Sequence, residues 1–193
     1  MNKQVIFSYL QFFRCIPADI LYMTYKDKAL IRSDLSRVMD EIPFKNVSIG
    51  AFNYSMLFVK SFRNVFYYRT GKSGILRIFS RWLLPQLDSL EIHGIIGEGF
   101  RVYHNYGVIH PYKAGRNFTV HHGVTIGKGR PSVEDDSIVD PIFGDNVEVM
   151  SGAIVFGGIR IGNNVTIGAG SLVNKDVPDN CVVVGNPMRI IRK

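Results

Sequence analysis

The 193-residue sequence predicts a mainly β fold, a parallel coil of short stacked strands with a small α-helical region ahead of it. Three observations predict it. Small or apolar residues recur at every sixth position, as Ile96, Val102, Val108, Ala114, Val120 and Ile126, then as Phe143, Val149, Val155, Ile161, Ile167 and Val173. Neither a helix, with period 3.6, nor an isolated strand, with period 2, produces a beat of six. Sixteen of the 19 glycines lie beyond residue 85, in the same half as the beat. Charge divides there too: residues 1–85 hold 13 Lys/Arg and 5 Asp/Glu, residues 86–193 hold 10 and 11, so the net +7 belongs to the first part.

Residues 1–85 are expected to be helical. Leu30, Ile31, Leu35, Val38 and Met39 form a helical stripe with Asp27 placed to cap its start. A second stretch, Tyr54 to Tyr68, mixes Met56, Leu57, Phe62, Val65 and Phe66 with Lys60 and Arg63; a third runs from Ile75 to Leu84 and ends at Pro85. Basic and aromatic residues together have two readings. One is a helical cap that packs on the coil's end and shows its Lys and Arg to water; the other is peripheral contact with an anionic membrane surface. No nucleic-acid motif accompanies the charge, so no nucleic-acid partner is expected. Met1 to Met23 is apolar, but Arg14 interrupts it, Asp19 follows and no small-residue cleavage site is evident, so no leader is read there. No run of about 18 uncharged apolar residues exists to span a membrane. Cys15 and Cys181, far apart and without metal spacing, read as reduced thiols of a cytoplasmic protein.

Residues 86–193 carry the coil. Three hexapeptides complete one three-sided turn, and on each face the marker and the residue two before it point inward. The second inward series runs Phe100, Tyr106, Tyr112, Phe118 and Val124, then Val147, Ala153, Ile159, Val165, Ser171 and Val177. Corners fall at residues 97–99, 144–146 and 162–164, rich in the Gly, Asn and Asp that tolerate positive φ. The phase slips between Ile126 and Phe143, and residues 128–142 read as a loop thrown out at a corner, where a rigid repeat commonly carries function.

Of the five histidines, His104 and His122 are one turn apart and stack at one corner; the column continues to Ser151 and Ala169. Imidazole ordinarily titrates near pH 6.5, so a histidine there can take a proton from an alcohol attacking a thioester. Backbone N–H groups along the ledge would stabilise the oxyanion. Such a ledge becomes a cleft only if another surface covers it, which argues for an oligomer. His93, His110 and His121 are expected to serve packing or the surface.

These residues resemble the serine acetyltransferase branch of the hexapeptide-repeat acyltransferases. GFRVYHNYGV (99–108) is similar to that branch's segment around its catalytic histidine, and VHHGVTIG (120–127) to its next-turn signature. Residues 161–175, DVPDN (176–180) and GNPMRIIR (185–192) resemble the C-terminal signature shared with sugar acetyltransferases; the likeness covers residues 50 to 193. It implies a left-handed coil, acetyl-CoA as co-substrate, a small-molecule acceptor, and a homotrimer with active sites between subunits. It implies His104 as general base and Gly127 along the pantetheine arm. Ser151, Ala169, Asn174 and Lys175 would line the CoA channel, with Arg189 and Arg192 toward its phosphates. Gamma-class carbonic anhydrases bind zinc on similar coils with an adjacent histidine pair and a third about two turns away. His121 and His122 have no such third, so no metal is expected.

Two departures concern the acceptor. Tyr103 stands where the serine-specific enzymes have Asp before the catalytic histidine, and Asp140, ahead of Pro141, where they have a second histidine; Asp140 and His122 are the acceptor-side candidates. Glu91, in LEIH (90–93), is the candidate carboxylate that orients His104. Buried polar contacts dominate acceptor discrimination. The reading is therefore an acetyl-CoA-dependent O-acetyltransferase whose acceptor is a sugar hydroxyl of surface-polysaccharide assembly. Alternatives are a serine O-acetyltransferase of cysteine biosynthesis and a non-catalytic trimeric scaffold.

Overall fold

The beat of six folds as three parallel stacks of short strands. In the computed structural model, which describes residues 3–71 and 74–193, the unit Asp88–Lys193 is a left-handed parallel β-helix of about five turns. Face A stacks Leu90–Ile92, Gly107–Ile109, Thr125–Gly127, Ile154–Phe156 and Leu172–Val173. Face B stacks Ile95–Ile96, Lys113–Ala114, Ile142–Phe143 and Arg160–Ile161. Face C stacks Arg101–Val102, Thr119–Val120, Glu148–Val149, Thr166–Ile167 and Cys181–Val184, and Arg189–Arg192 returns antiparallel on the last of these. Arg101 pairs with Thr119 one turn below, the eighteen-residue register. Markers such as Val120, Ile126, Val149 and Val155 are wholly buried in the bore. Each contributes about 1.5–3 kcal/mol by leaving water.

Val108 is the marker that fails. It is exposed, as are Tyr106 and Tyr112 of the second series, and Ile109 fills the bore in its place. The corner before it is one residue longer than the corner below, and His104 absorbs the difference at φ 69. Ile109 consequently pairs with Ile126, seventeen positions on, before the next corner restores the register.

The corner between faces B and C is an amide ladder. Asn117, Asn146, Asn164 and Asn180 all hold positive φ of 55–57°, which asparagine accepts better than most residues. Asn117 Nδ2 donates to Asn146 Oδ1 (2.9 Å), Asn146 to Asn164 and Asn164 to Asn180 (both 3.0 Å). Asn164→Ala removes two rungs and places a Cβ-bearing residue without a local side-chain bond in the left-handed region. The expected loss is about 2 kcal/mol. Asn164→Gly should lose less, because glycine takes that φ freely; thermal denaturation of both variants checks the order.

The excursion, expected at 128–142, ends before Ile142, which already pairs in face B; it leaves at the corner between faces A and B, so that Thr125 pairs with Ile154 across it. It is pinned rather than loose. Gly129 N–H donates to Val139 O (2.9 Å), Ser132 N–H to Ile138 O (2.8 Å), and Ser132 and Ile138 are buried. Arg160 pairs with Glu134 over it.

The unit Met1–Leu87 is helical: α1 (Lys3–Leu10), α2 (Ile16–Thr24), α3 (Lys28–Ser36), α4 (Ile49–Phe58), α5 (Lys60–Arg69) and α6 (Ile75–Leu83). Asp27 precedes α3 as expected, but its side chain makes no capping bond; its carbonyl accepts from Leu30 N–H instead. The stretch expected as one helix from Tyr54 to Tyr68 is two. α4 starts earlier under a Ser48 cap, whose Oγ accepts from Ala51 N–H, and breaks at Val59. The break frees carbonyls for the buried Arg63, which donates to Met56 O, Leu57 O and Pro85 O. The core gathers Cys15, Ile31, Leu35, Phe52, Met56, Phe62, Phe66 and Tyr67.

α6 is turned inside out. Arg77 and Ser80 are buried, with Ser80 Oγ 2.9 Å from Tyr67 Oη, while Ile75, Ile78, Phe79 and Trp82 face outward, Trp82 at 77% exposure. Beside the exposed Arg81, α6 thus shows an apolar row to water that the sequence reading did not anticipate. No helix among the described residues is long and apolar enough to cross a membrane. Cys15 and Cys181 are buried, free thiols, and burial pushes Cys15 up to about 12, away from the reactive thiolate.

Candidate active site

The first four face C strands each end where the chain turns onto face A, and the residues two positions past their markers stack at that corner. His104 and His122 meet edge to face, ring centroids 4.9 Å apart. His122 Nδ1 lies 3.1 Å from Ser151 Oγ. Gly152 N–H donates to His122 O and Gly170 N–H to Ser151 O (both 3.0 Å), which carries the column down to Ala169. His104 is exposed and makes no side-chain hydrogen bond among the described residues. The serine hydroxyl at Nδ1 holds the His122 ring.

Neighbouring side chains form a separate stack. Arg101 lies 4.0 Å over the Tyr103 ring, Tyr103 stacks on His121 at 4.6 Å, and His121 Nε2 is 2.9 Å from Glu148 Oε1. Tyr103 is thus engaged in packing on face C. Tyr106, expected in the bore, instead stands against His122 at the corner (5.9 Å between ring centroids).

The remaining candidates divide between two corners. Gly127 ends its face A strand at the opposite corner, between faces A and B, and a Cβ built there meets nothing within 4 Å. Asn174 and Lys175, both exposed, follow Leu172–Val173 at that same corner. Asp140 is there too, beside Pro141, whose carbonyl accepts from Tyr112 N–H; Asp140 Oδ1 is buried without a hydrogen-bond partner. Arg189 pairs with Val184 beside the histidine corner, but Arg192 pairs with Cys181, next to the asparagine ladder. The two arginines expected to act together therefore sit at opposite ends of one strand.

Glu91 is also displaced from its expected role. Its carboxylate faces His110, with Oε2 3.5 Å from Nε2, and makes no ion pair or hydrogen bond with His104 among the described residues. His93 packs against His110, ring centroids 4.2 Å apart. Counting eighteen residues per turn misses this cluster. The first two face A strands pair seventeen apart, Ile92 with Ile109, which sets His93 opposite His110.

Residues 140–175 match the family Bacterial transferase hexapeptide (six repeats). A serine acetyltransferase of Synechococcus elongatus is 42% identical over 110 residues, 54% of this chain and 43% of the relative. The putative colanic acid biosynthesis acetyltransferase WcaB of Escherichia coli K12 is 43% identical over 103 residues, 52% of this chain and 61% of the relative. The coil is serine acetyltransferase-like. Among solved structures, Neisseria gonorrhoeae serine acetyltransferase in complex with serine superposes with a TM-score of 0.63 at 28% identity, covering 83% of this chain and 67% of that one. The chain spans about half the length of the curated relatives it matches.

The open surface at Gly127 gives a direct test of this serine acetyltransferase-like coil. Gly127→Leu should leave the melting temperature nearly unchanged, since a Cβ there meets nothing within 4 Å of its own chain. If the pantetheine arm lies there, the KM for acetyl-CoA should rise about tenfold or more, a lost 1.4 kcal/mol of binding. Initial-rate kinetics read it.

Proposed function

We propose that the protein is an acetyl-CoA-dependent O-acetyltransferase with His104 as general base. The observation that carries this is the His104–His122–Ser151 column at the C–A corner of a serine acetyltransferase-like coil. With both substrates bound, the His104 imidazole takes the acceptor hydroxyl proton as that oxygen attacks the thioester carbonyl. Collapse of the tetrahedral intermediate expels the CoA thiolate, which takes the proton back from the imidazolium. Gly127, Ser151, Ala169, Asn174 and Lys175 would line the donor channel and Arg189 would meet its phosphates.

The site is proposed to close between chains of a homotrimer. Two observations support this: the candidates lie on two corners that flank face A, and face A shows apolar Val108 and Ile154 outward. A neighbour's A–B corner, with Gly127 and Asp140, would then face His104.

The acceptor has two readings. L-serine is the better supported, because the matched relatives are mostly serine acetyltransferases and the Neisseria enzyme holds serine. A sugar hydroxyl of surface-polysaccharide assembly is supported by Tyr103 and Asp140 on the acceptor side and by the likeness to WcaB. Thiol release from acetyl-CoA, measured with L-serine and with a panel of sugars and nucleotide sugars, separates them. If no acceptor releases thiol and calorimetry detects no CoA binding, the non-catalytic scaffold replaces both.

Peripheral contact with an anionic bilayer is proposed for the helical unit, supported by the outward apolar row of α6 in a net-basic segment. The protein should co-sediment with phosphatidylglycerol vesicles and not with phosphatidylcholine ones, and Trp82→Ser should weaken that binding. Equal loss of sediment with both lipids, together with self-association through this face, would reject it.

A further inference from the structure

We infer that Glu91, His93 and His110 form a divalent transition-metal site at the A–B corner of the first two turns. The ligand atoms of these three side chains all lie within 4.8 Å of one another. The Glu91–His110 separation is 3.5 Å. Ligand atoms around a tetrahedral zinc ion, with bonds of about 2.0–2.2 Å, stand about 3.3 Å apart. That pair is already at metal spacing, and small side-chain rotations bring in the third ligand.

The backbone holds the cluster in place. Glu91 pairs with Val108 and Ile92 with Ile109 in parallel register, and His93 N–H donates to Ile109 O at 2.9 Å. Neighbouring strands lie about 4.8 Å apart, so two histidines at matching positions present their rings to one point.

A second observation concerns the His110 ring. Its Nε2 is shut off from solvent and has no hydrogen-bond partner. At 3.5 Å the Glu91 carboxylate is too far for the 2.7–2.9 Å typical of a charge-assisted hydrogen bond. A buried ring nitrogen facing a carboxylate oxygen without a bond between them is an arrangement that a bound cation completes. Two imidazoles and one carboxylate suit zinc, cobalt or nickel better than magnesium or calcium, which prefer all-oxygen shells. Glu91 and His93 are exposed, which leaves a fourth position for water. The ion would clip the first turn of the coil to the second.

The test uses the full chain stripped with a chelator. Zinc titration by calorimetry should show one saturable site per chain, Co²⁺ should give a tetrahedral visible band, and zinc should raise the melting temperature. His93→Gln and His110→Gln should each weaken zinc by more than the about 10–100-fold that loss of a mere outer partner costs, and abolish the thermal shift. Both variants leave His104 in place, and His93 is exposed, so at least that variant should fold. The absence of saturable zinc binding, or binding that survives both substitutions, overturns the site. Thiol release from acetyl-CoA is measured separately, so failure here leaves the acetyl-transfer reading standing.

Discussion

His104→Asn should cut kcat by about 10²–10⁴, the usual worth of a general base, with a far smaller change in the KM for acetyl-CoA. Asparagine is the informative replacement because His104 sits at φ 69, a conformation asparagine tolerates and alanine does not. It keeps the corner while removing the proton acceptor. His104→Ala should show the same catalytic loss with an added drop in stability, and the difference between the two variants isolates the corner's strain. The rival base is His122, 4.9 Å away in the same column. Its Nδ1 is engaged by Ser151, whereas His104 faces outward, so His122→Asn should cost less. A larger loss at His122 than at His104 would exchange their roles. Initial rates at saturating acetyl-CoA, with circular dichroism as the folding control, decide the matter.

The coil was legible because its constraint is strictly periodic. A bore of fixed width demands a buried aliphatic residue at each face, and almost every marker from Ile96 to Val173 is buried. The histidine column followed from the same arithmetic. What escaped was each place where the arithmetic bends. One extra residue at the His104 corner pushes Val108 out and Ile109 in, and short A–B corners after Ile92 and Ile109 bring the face A register to seventeen. No count in eighteens could then set His93 over His110, or pull Glu91 away from His104. Donor-side residues separated for another reason: sequence shows that Arg189 and Arg192 are close along the chain, not that a strand return points them to different corners. In the helical unit nothing repeats. The break at Val59 leaves Met56 O and Leu57 O to Arg63, whose third acceptor, Pro85 O, comes from another segment. Such a break has no local signal.

The largest stability effect should come from the ion pair inside that helical unit. Arg69 Nε and Nη2 donate to the two oxygens of Asp34 at 2.8 and 3.1 Å, with both side chains at or below 5% exposure. Asp34 lies on α3 and Arg69 ends α5, so the pair ties two helices that share the Leu35–Phe66 core. Removing one partner leaves the other charge buried, which costs about 3–5 kcal/mol, far more than the pair itself is worth. Asp34→Ala should therefore unfold the helical unit at markedly lower urea, close to the whole margin of a small domain. Replacing both, as Asp34→Leu with Arg69→Met, removes two desolvated charges together and should recover most of that loss. Urea denaturation of Asp34→Leu, Arg69→Met and the double variant completes the cycle. If Asp34→Ala costs less than about 1 kcal/mol, the range of exposed pairs, then water reaches Arg69 and the helices are held by their aromatic core alone.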